Sequence, residues 1–220
     1  YMKFGKLDRR VKTFGHYFQD AGYATAVTGK WQLGTEDDSP LHFGFDEAFL
    51  WRHKLKSSVK GFNGDKRDSR FASPWIQHTR REDGKIESDV KQYPYLYGPD
   101  LISDFACDFI EANKEKPFFL YYPMALVHCP FDYTPDSEGW EENNLGSLTY
   151  KGNPEYFADM VAYTDKIVGK IIDQLEASGV RENTLIIFTG DNGTDKPIVS
   201  MMGDQEVIGS KSIPIEWGTH

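Results

Sequence analysis

Three times along the chain, apolar residues at helical spacing are followed by a turn residue and then by a short, nearly continuous apolar stretch. Residues 8–21 place Val11, Phe14, Tyr17 and Phe18 on one face of a helix. Gly22 is positioned to stop it, and YATAVTG reads as a strand. The second unit covers residues 99–125, with Leu101, Ile102, Phe105, Phe109 and Ile110 as the apolar stripe and PFFLYYPMA as the strand. In the third, Asn153 can cap, Pro154 takes the first helical position, and Phe157, Met160, Val161, Val168, Ile171 and Leu175 line one face. Gly179 closes that helix and NTLIIFTGDNG follows. The unbroken apolar run at residues 185–188 suits a strand buried on both faces, as in a parallel sheet covered by helices. Helix, turn and buried strand in succession predict an α/β layer architecture.

Between residues 51 and 97 this pattern gives way to turn residues, aromatics and charges, with a hairpin predicted in WIQHTRREDGKIES around Asp83-Gly84. The stretch reads as an irregular insertion into one domain covering residues 1–220. An unstructured loop of that length is uncommon, which points to function or to packing against another part. There is no internal repeat.

With 39% hydrophobic and 15% aromatic residues, 220 residues can bury one sizeable core. A formal net charge of -9 argues against duplex nucleic acid as the main partner, since phosphate binding needs a dominant basic face. The acidity is uneven. Residues 52–70 hold seven lysines and arginines against Asp65 and Asp68, a local net of +5. That segment is either a solvated loop or a collar that attracts an anionic substrate. Two cysteines, Cys107 and Cys129, make no disulfide framework and have no zinc-site spacing. No apolar run reaches the roughly 18 residues of a membrane span. The opening YMKFGKLDRR resembles neither a signal peptide nor a natural start, and with the ending EWGTH it leads us to expect a fragment cut at both ends.

Four places carry candidate chemistry. Lys30 ends the strand of GYATAVTGKWQLG, either as a solvated turn residue or as an ammonium presented to an anion. Asp191 and Asn192 in TGDNG follow another strand. In open α/β sheets ligands gather beyond the carboxyl ends of strands. A carboxylate beside an amide oxygen is hard-donor chemistry, suited to calcium or magnesium and poor for zinc; DNG is equally a common turn. His128 lies just past the strand in PMALVHCPF, either satisfied by packing or acting as a proton donor or a donor to an oxyanion. Lys211 sits in IGSKSIP, where Gly203 and Gly209 are too far apart and Ser210 intervenes, so no phosphate-cradling P-loop is present. It is either an anion contact or a solvated loop lysine.

Taken in order, these pieces resemble the sulfatase family of the alkaline-phosphatase-like fold. GYATAVTGKWQLG is similar to that family's signature G-Y-x-T-x-x-x-G-K-W-H-L-G, and HFGFDEAF to the glycine-phenylalanine-aspartate turn after it. KPFFLYYPMALVHCPF resembles the strand and histidine that follow, YTDKIVGKIIDQLEASGVRENTLIIFTGDNG the long helix and metal strand, and GSKSIPIEWGTH a variant of the lysine loop. The resemblance implies an alkaline-phosphatase-like α/β sandwich with a largely parallel sheet and helices on both faces. The chain would then be the central part of a sulfatase catalytic domain. It further implies that Asp191 and Asn192 bind a divalent metal, usually calcium. Lys30 and Lys211 would hold sulfate oxygens, Gln32 would face the substrate, and His128 would assist departure of the alcohol. The implied partner is a small-molecule or carbohydrate sulfate ester, and the implied location is outside the cytoplasm: periplasmic, extracellular or lysosomal.

Two departures follow. The family's formylglycine nucleophile forms in C/S-x-P-x-R, and neither CDFIE at Cys107 nor CPFDY at Cys129 fits. That nucleophile is expected upstream, so residues 1–220 alone should turn over no sulfate ester. Gln32 stands where the family usually has histidine, and an amide carries no proton at neutral pH. Two rival functions share this architecture: a phosphodiesterase or phosphonate hydrolase, and a catalytically dead anion- or glycan-binding protein.

Overall fold

The computed structural model describes residues 7–34, 37–52, 70–144, 146–147 and 149–213. The first helix, α1 (Phe14–Asp20), is shorter than the apolar spacing predicts. Asp8 accounts for the difference: its carboxylate accepts from the Arg10 amide at 3.0 Å and from the Arg10 guanidinium, holding residues 8–11 in a turn. The helix starts instead at Thr13, whose amide donates to His16 Nδ1 at 3.1 Å while its hydroxyl donates to the Phe43 carbonyl at 2.6 Å. An imidazole thus takes the reciprocal role that glutamate usually plays in an N-terminal cap. Gly22, at φ +84°, ends the helix as expected, with the Tyr23 amide donating back to the Phe18 carbonyl.

Strand β1 (Ala24–Lys30) follows, then a single helical turn α2 (Ser39–His42) and β2 (Glu47–Trp51). The predicted hairpin forms as β3 (Trp75–Glu82) and β4 (Lys85–Gln92), turning at Asp83 and Gly84 with φ of 50° and 76°. Helix α3 (Gly98–Asn113) leads to β5 (Phe118–Tyr121). The strands lie in the order β4-β3-β2-β1-β5. Strand β1 pairs in parallel with both β2 and β5, whereas β3 and β4 extend the edge in antiparallel fashion. The described part of the 51–97 stretch is therefore largely sheet, and residues 53–69 lie outside the described residues.

Strands β1 and β2 are buried on both faces, as suits the middle of a covered sheet, whereas β5 at the edge is only half-buried. Alternate residues of β2 enter two different clusters: Ala48 and Leu50 join Val27, Leu41, Phe43 and Phe45, whereas Phe49 and Trp51 join Ile76 and Ile102 of α3. Asp46, in the turn before β2, ties β1 to α1. Its carboxylate accepts from the Thr25 amide and hydroxyl, both at 2.9 Å, and from Gln19 Nε2 at 2.7 Å.

The long helix α4 (Phe157–Ala177) is entered through a 3₁₀ turn, Pro154–Tyr156, capped by Asn153 accepting from the Glu155 amide. Its buried face is Met160, Tyr163, Ile167 and Leu175; Val161, predicted on that face, is 45% exposed. The stripe turns toward Tyr163 because that ring packs on Tyr97 and its hydroxyl donates to Asp100 of α3 at 2.7 Å.

The expected strand at residues 185–188 is absent: no ladder partner lies beside it among the described residues, and Leu185, Ile187 and Phe188 are 85%, 79% and 67% exposed. An apolar run signals a demand for burial, but a strand also needs a neighbour to accept its backbone bonds. After it, β6 (Val199–Met202) and β7 (Gln205–Ile208) form a separate antiparallel hairpin.

Candidate active site

Lys30 stands at the carboxyl end of the central parallel strand. Gly29 has φ +116°, and a Cβ there would come within 3.0 Å of the Pro123 carbonyl oxygen. Without that side chain, the backbone beyond β5 approaches closely enough for the Lys30 amide to donate to Pro123 at 2.8 Å. The next residue, Trp31, is buried among Phe43 and Phe45, and its indole N–H donates to Ser39 Oγ at 3.2 Å. Glycine and tryptophan thus clamp the chain on either side of Lys30, whose side chain is half-buried. Burial lowers the Lys30 pKa; Asp191 opposes that shift, and Arg70 and Lys211 reinforce it. Gln32 is half-buried in the irregular stretch beyond.

His128 follows β5, which runs parallel to β1, so both residues lie at the same rim of the sheet. Its amide donates to Ala125 in a tight turn, and its ring Nδ1 stands 2.7 Å from the Cys129 carbonyl oxygen. Burial lowers its pKa below 6.5, and the charges of Arg70, Lys211 and Lys30 push in the same direction, against the Cys129 carbonyl.

In the sequence Arg70 is one cation among seven in residues 52–70 and carries no mark of its own. Its Nη1 lies 2.7 Å from His128 Nδ1 and donates to the Cys129 carbonyl. Its guanidinium carbon sits 4.8 Å from the Trp51 ring centroid at the end of β2. The signal that could have found it is the pairing of an arginine with aromatics on both sides of a strand-rich segment, too weak to separate it from its neighbours.

Lys211 is brought back to this rim by the β6–β7 hairpin. Its amide donates to the Thr194 carbonyl at 3.0 Å, and Gly209 donates to Ile198 at 2.8 Å. Both Lys30 and His128 feel its charge. Arg70 and Lys211 thus lie within electrostatic reach of both Lys30 and His128, and Asp191 within reach of Lys30. A groove of about 680 Å³ between α3 and α4, lined by residues such as Asp100, Cys107 and Lys170, contains none of them. Both cysteines are free thiols.

Asp191 and Asn192 are exposed in the bend after residue 190. As donors, a carboxylate and an amide oxygen fit a hard divalent cation in kind. In number they fall short of the 6 to 8 oxygens calcium takes, and among the described residues no cluster of three acidic, histidine or cysteine groups is placed to hold a metal. These two residues can supply part of such a site.

A family model described as Sulfatase matches residues 1–196. An arylsulfatase of Hemicentrotus pulcherrimus is 28% identical over 223 residues, which covers 96% of this chain and 37% of that protein. The N-acetylgalactosamine-6-sulfatase of Mus musculus is 28% identical over 184 residues, covering 79% of this chain and 31% of that protein. An N-acetylgalactosamine-6-O-sulfatase of Bacteroides thetaiotaomicron is 25% identical over 233 residues, covering 85% and 43%. The chain thus spans between 31% and 43% of the length of these relatives. Among solved structures, Ps i-CgsB in complex with k-i-k-neocarrahexaose superposes with a TM-score of 0.59 at 23% identity, covering 86% of this chain and 42% of that one. This likeness establishes the shared α/β fold.

Proposed function

The chain belongs to the sulfatase family, and from that premise we propose that the whole protein hydrolyses sulfate esters, with sulfated carbohydrates as the substrate class. One observation carries most of the weight: the charges of Arg70 and Lys211 both reach Lys30, and all three cations reach His128. A sulfate monoester is an anion, and on cleavage negative charge gathers on the departing oxygen. Fixed positive groups in a partly dry pocket stabilise that charge without having to reorganise. In this reading Lys30 and Lys211 hold the non-bridging sulfate oxygens, and Gln32 offers the substrate a hydrogen bond but no proton. His128 donates to the leaving alcohol oxygen.

Sulfatases generally carry a formylglycine and a divalent metal, which supply the nucleophile and a counter-charge when present. Asp191 and Asn192 are the residues of this chain that would hold the metal, and their hard oxygens favour calcium. Carbohydrate substrates are supported by the cationic stretch 52–70 and by the relatives that bear the name N-acetylgalactosamine-6-sulfatase. We place the whole protein outside the cytoplasm, in keeping with its family. No helix among the described residues is long and apolar enough to cross a membrane.

The test compares aryl sulfate and aryl phosphate turnover by the whole protein, with K30A beside it. Sulfate should be preferred, and K30A should lower kcat by roughly 10²- to 10³-fold. Preference for phosphate would move the protein to the phosphodiesterases. Salt-sensitive binding of sulfated glycan without turnover would make it a binding protein.

A further inference from the structure

Tyr150 stands beside the turn of His128 and is 60% exposed. The Phe131 amide, three residues beyond His128, donates to the Lys151 carbonyl at 2.9 Å, and the Phe131 carbonyl accepts from the Asn153 amide at 2.8 Å. This short parallel bridge brings residues 150–153 alongside the histidine's segment. The Tyr150 hydroxyl meets the Cys129 thiol, which lies 3.5 Å from His128 Nδ1, and the charges of Arg70 and Lys151 both reach the tyrosine. On the other side Lys151 pairs with Asp195 at 2.5 Å, next to Thr194, whose carbonyl accepts from the Lys211 amide. Lys151 Nζ stands 5.7 Å over one face of the Tyr150 ring. A lone aromatic side chain in solvent is ordinary. This one has its hydroxyl drawn in toward Cys129 and its backbone tied to Phe131 and, through Lys151, to Asp195, so an exposed ring is held in place between the His128 turn and the Lys211 loop.

We propose that Tyr150 is a substrate-binding residue whose ring is the platform on which the sulfate-bearing sugar stacks. This rests on the sulfatase reading and specifies how that site takes a carbohydrate. In that reading Lys30 and Lys211 hold the sulfate oxygens and His128 faces the leaving alcohol, so the sugar lies on the histidine's side of the site, where Tyr150 is anchored. Ligand sites pair apolar and aromatic surface with a few polar groups that fix orientation. The cations supply the second kind of contact, and Tyr150 supplies the first. A sugar ring presents C–H bonds on one face, and a tyrosine ring meets them with a large, rigid apolar surface while its hydroxyl stays hydrogen-bonded. In a hexose of the galacto configuration that C–H face adjoins C6, so a 6-sulfate extends toward the cations while its ring lies on Tyr150. N-acetylgalactosamine 6-sulfate, the sugar sulfate in the names of two relatives, has this shape.

The experiment uses the whole protein, with N-acetylgalactosamine 6-sulfate as the probe sugar and inorganic sulfate as a probe of the cation site alone. Y150A should raise KM for the sugar sulfate roughly tenfold with kcat changed much less, as for contacts made equally in the ground and transition states. Its inhibition by inorganic sulfate should match wild type. Y150F, which keeps the ring and loses only the hydroxyl, should stay close to wild type in KM. An unchanged KM in Y150A, an equal loss of sulfate inhibition, or a Y150F that falls as far as Y150A would overturn the proposal. Calorimetric titration of the same sugar sulfate into wild type and Y150A reads binding without turnover. Binding that weakens in Y150A, in a protein that hydrolyses no sulfate ester, would sink the sulfatase reading and leave the platform standing. Aryl sulfate turnover beside sugar binding that is absent, or indifferent to Y150A, would do the reverse.

Discussion

Gly29 and Pro123 meet backbone to backbone at the end of the central strand: a Cβ on Gly29 would fall within 3.0 Å of the same carbonyl oxygen that accepts from the Lys30 amide at 2.8 Å. The placement of Lys30 thus depends on the absence of a side chain one residue earlier. G29A should destabilise the whole protein by about 3 kcal/mol, combining the strain of φ +116° with the clash. G22A is the control. Gly22 also has positive φ, but its Cβ would meet nothing within 4 Å, so a loss of about 1 kcal/mol is expected. Urea midpoints of the two variants decide; equal losses would show that close approach is not what selects Gly29.

The Asp46 carboxylate joins three donors from two elements, Thr25 of β1 twice and Gln19 of α1. Removing it leaves the Thr25 amide, in a fully buried residue, without its partner. D46A should cost about 3 kcal/mol, as for a buried charge-assisted hydrogen bond. Asp38 pairs with Arg9 at 2.8 Å where both side chains are well exposed, so D38A should cost at most about 1 kcal/mol. Denaturant unfolding of both variants measures the contrast.

Stability should also respond to pH through His128. Its folded pKa lies below 6.5, chiefly through burial. As pH falls through about 6.5, the unfolded chain takes up a proton that the folded ring refuses, so stability is lost until the folded pKa is reached. H128N should flatten part of the stability-pH curve between neutrality and the acid side. A curve identical to wild type would show that the ring titrates alike in both states.

The position of Lys30 is legible because the hydrophobic pattern marks where a buried strand stops, and a polar residue there lies at the ligand-binding rim of a parallel sheet; His128 is less so, since β5 stops at Tyr121 and His128 sits in a separate turn further on. Arg70 is hidden by its company: local sequence does not mark it, among the cations of residues 52–70, as a partner of His128. The role of Asp46 was equally hidden, since its three donors come from positions 19 and 25 and the turn that carries it reads as an ordinary loop. The run at residues 185–188 has the apolarity of a buried strand and no ladder partner among the described residues. Apolarity states what the segment needs, and pairing depends on residues elsewhere.

Calcium should raise the melting temperature of the whole protein, and D191A should abolish that gain. At a calcium concentration a hundred times the dissociation constant, linkage gives about 2.7 kcal/mol of added stability. Zinc at matched concentration should give much less, because the two oxygens this chain offers suit a hard ion. An undiminished calcium response in D191A would remove Asp191 from the metal site.

Gln32 offers the last test, because it directly follows Lys30 and Trp31, which are held by Pro123 and Ser39. A histidine there has a side chain of similar size and gains a group that titrates near neutrality, where the amide cannot exchange a proton. If proton transfer at this position limits the whole protein, Q32H should raise kcat for an aryl sulfate by at least roughly tenfold. The gain should follow a new ionisation in the pH-rate profile. A flat profile with unchanged kcat would show that the amide costs the reaction nothing and that proton transfer is handled elsewhere.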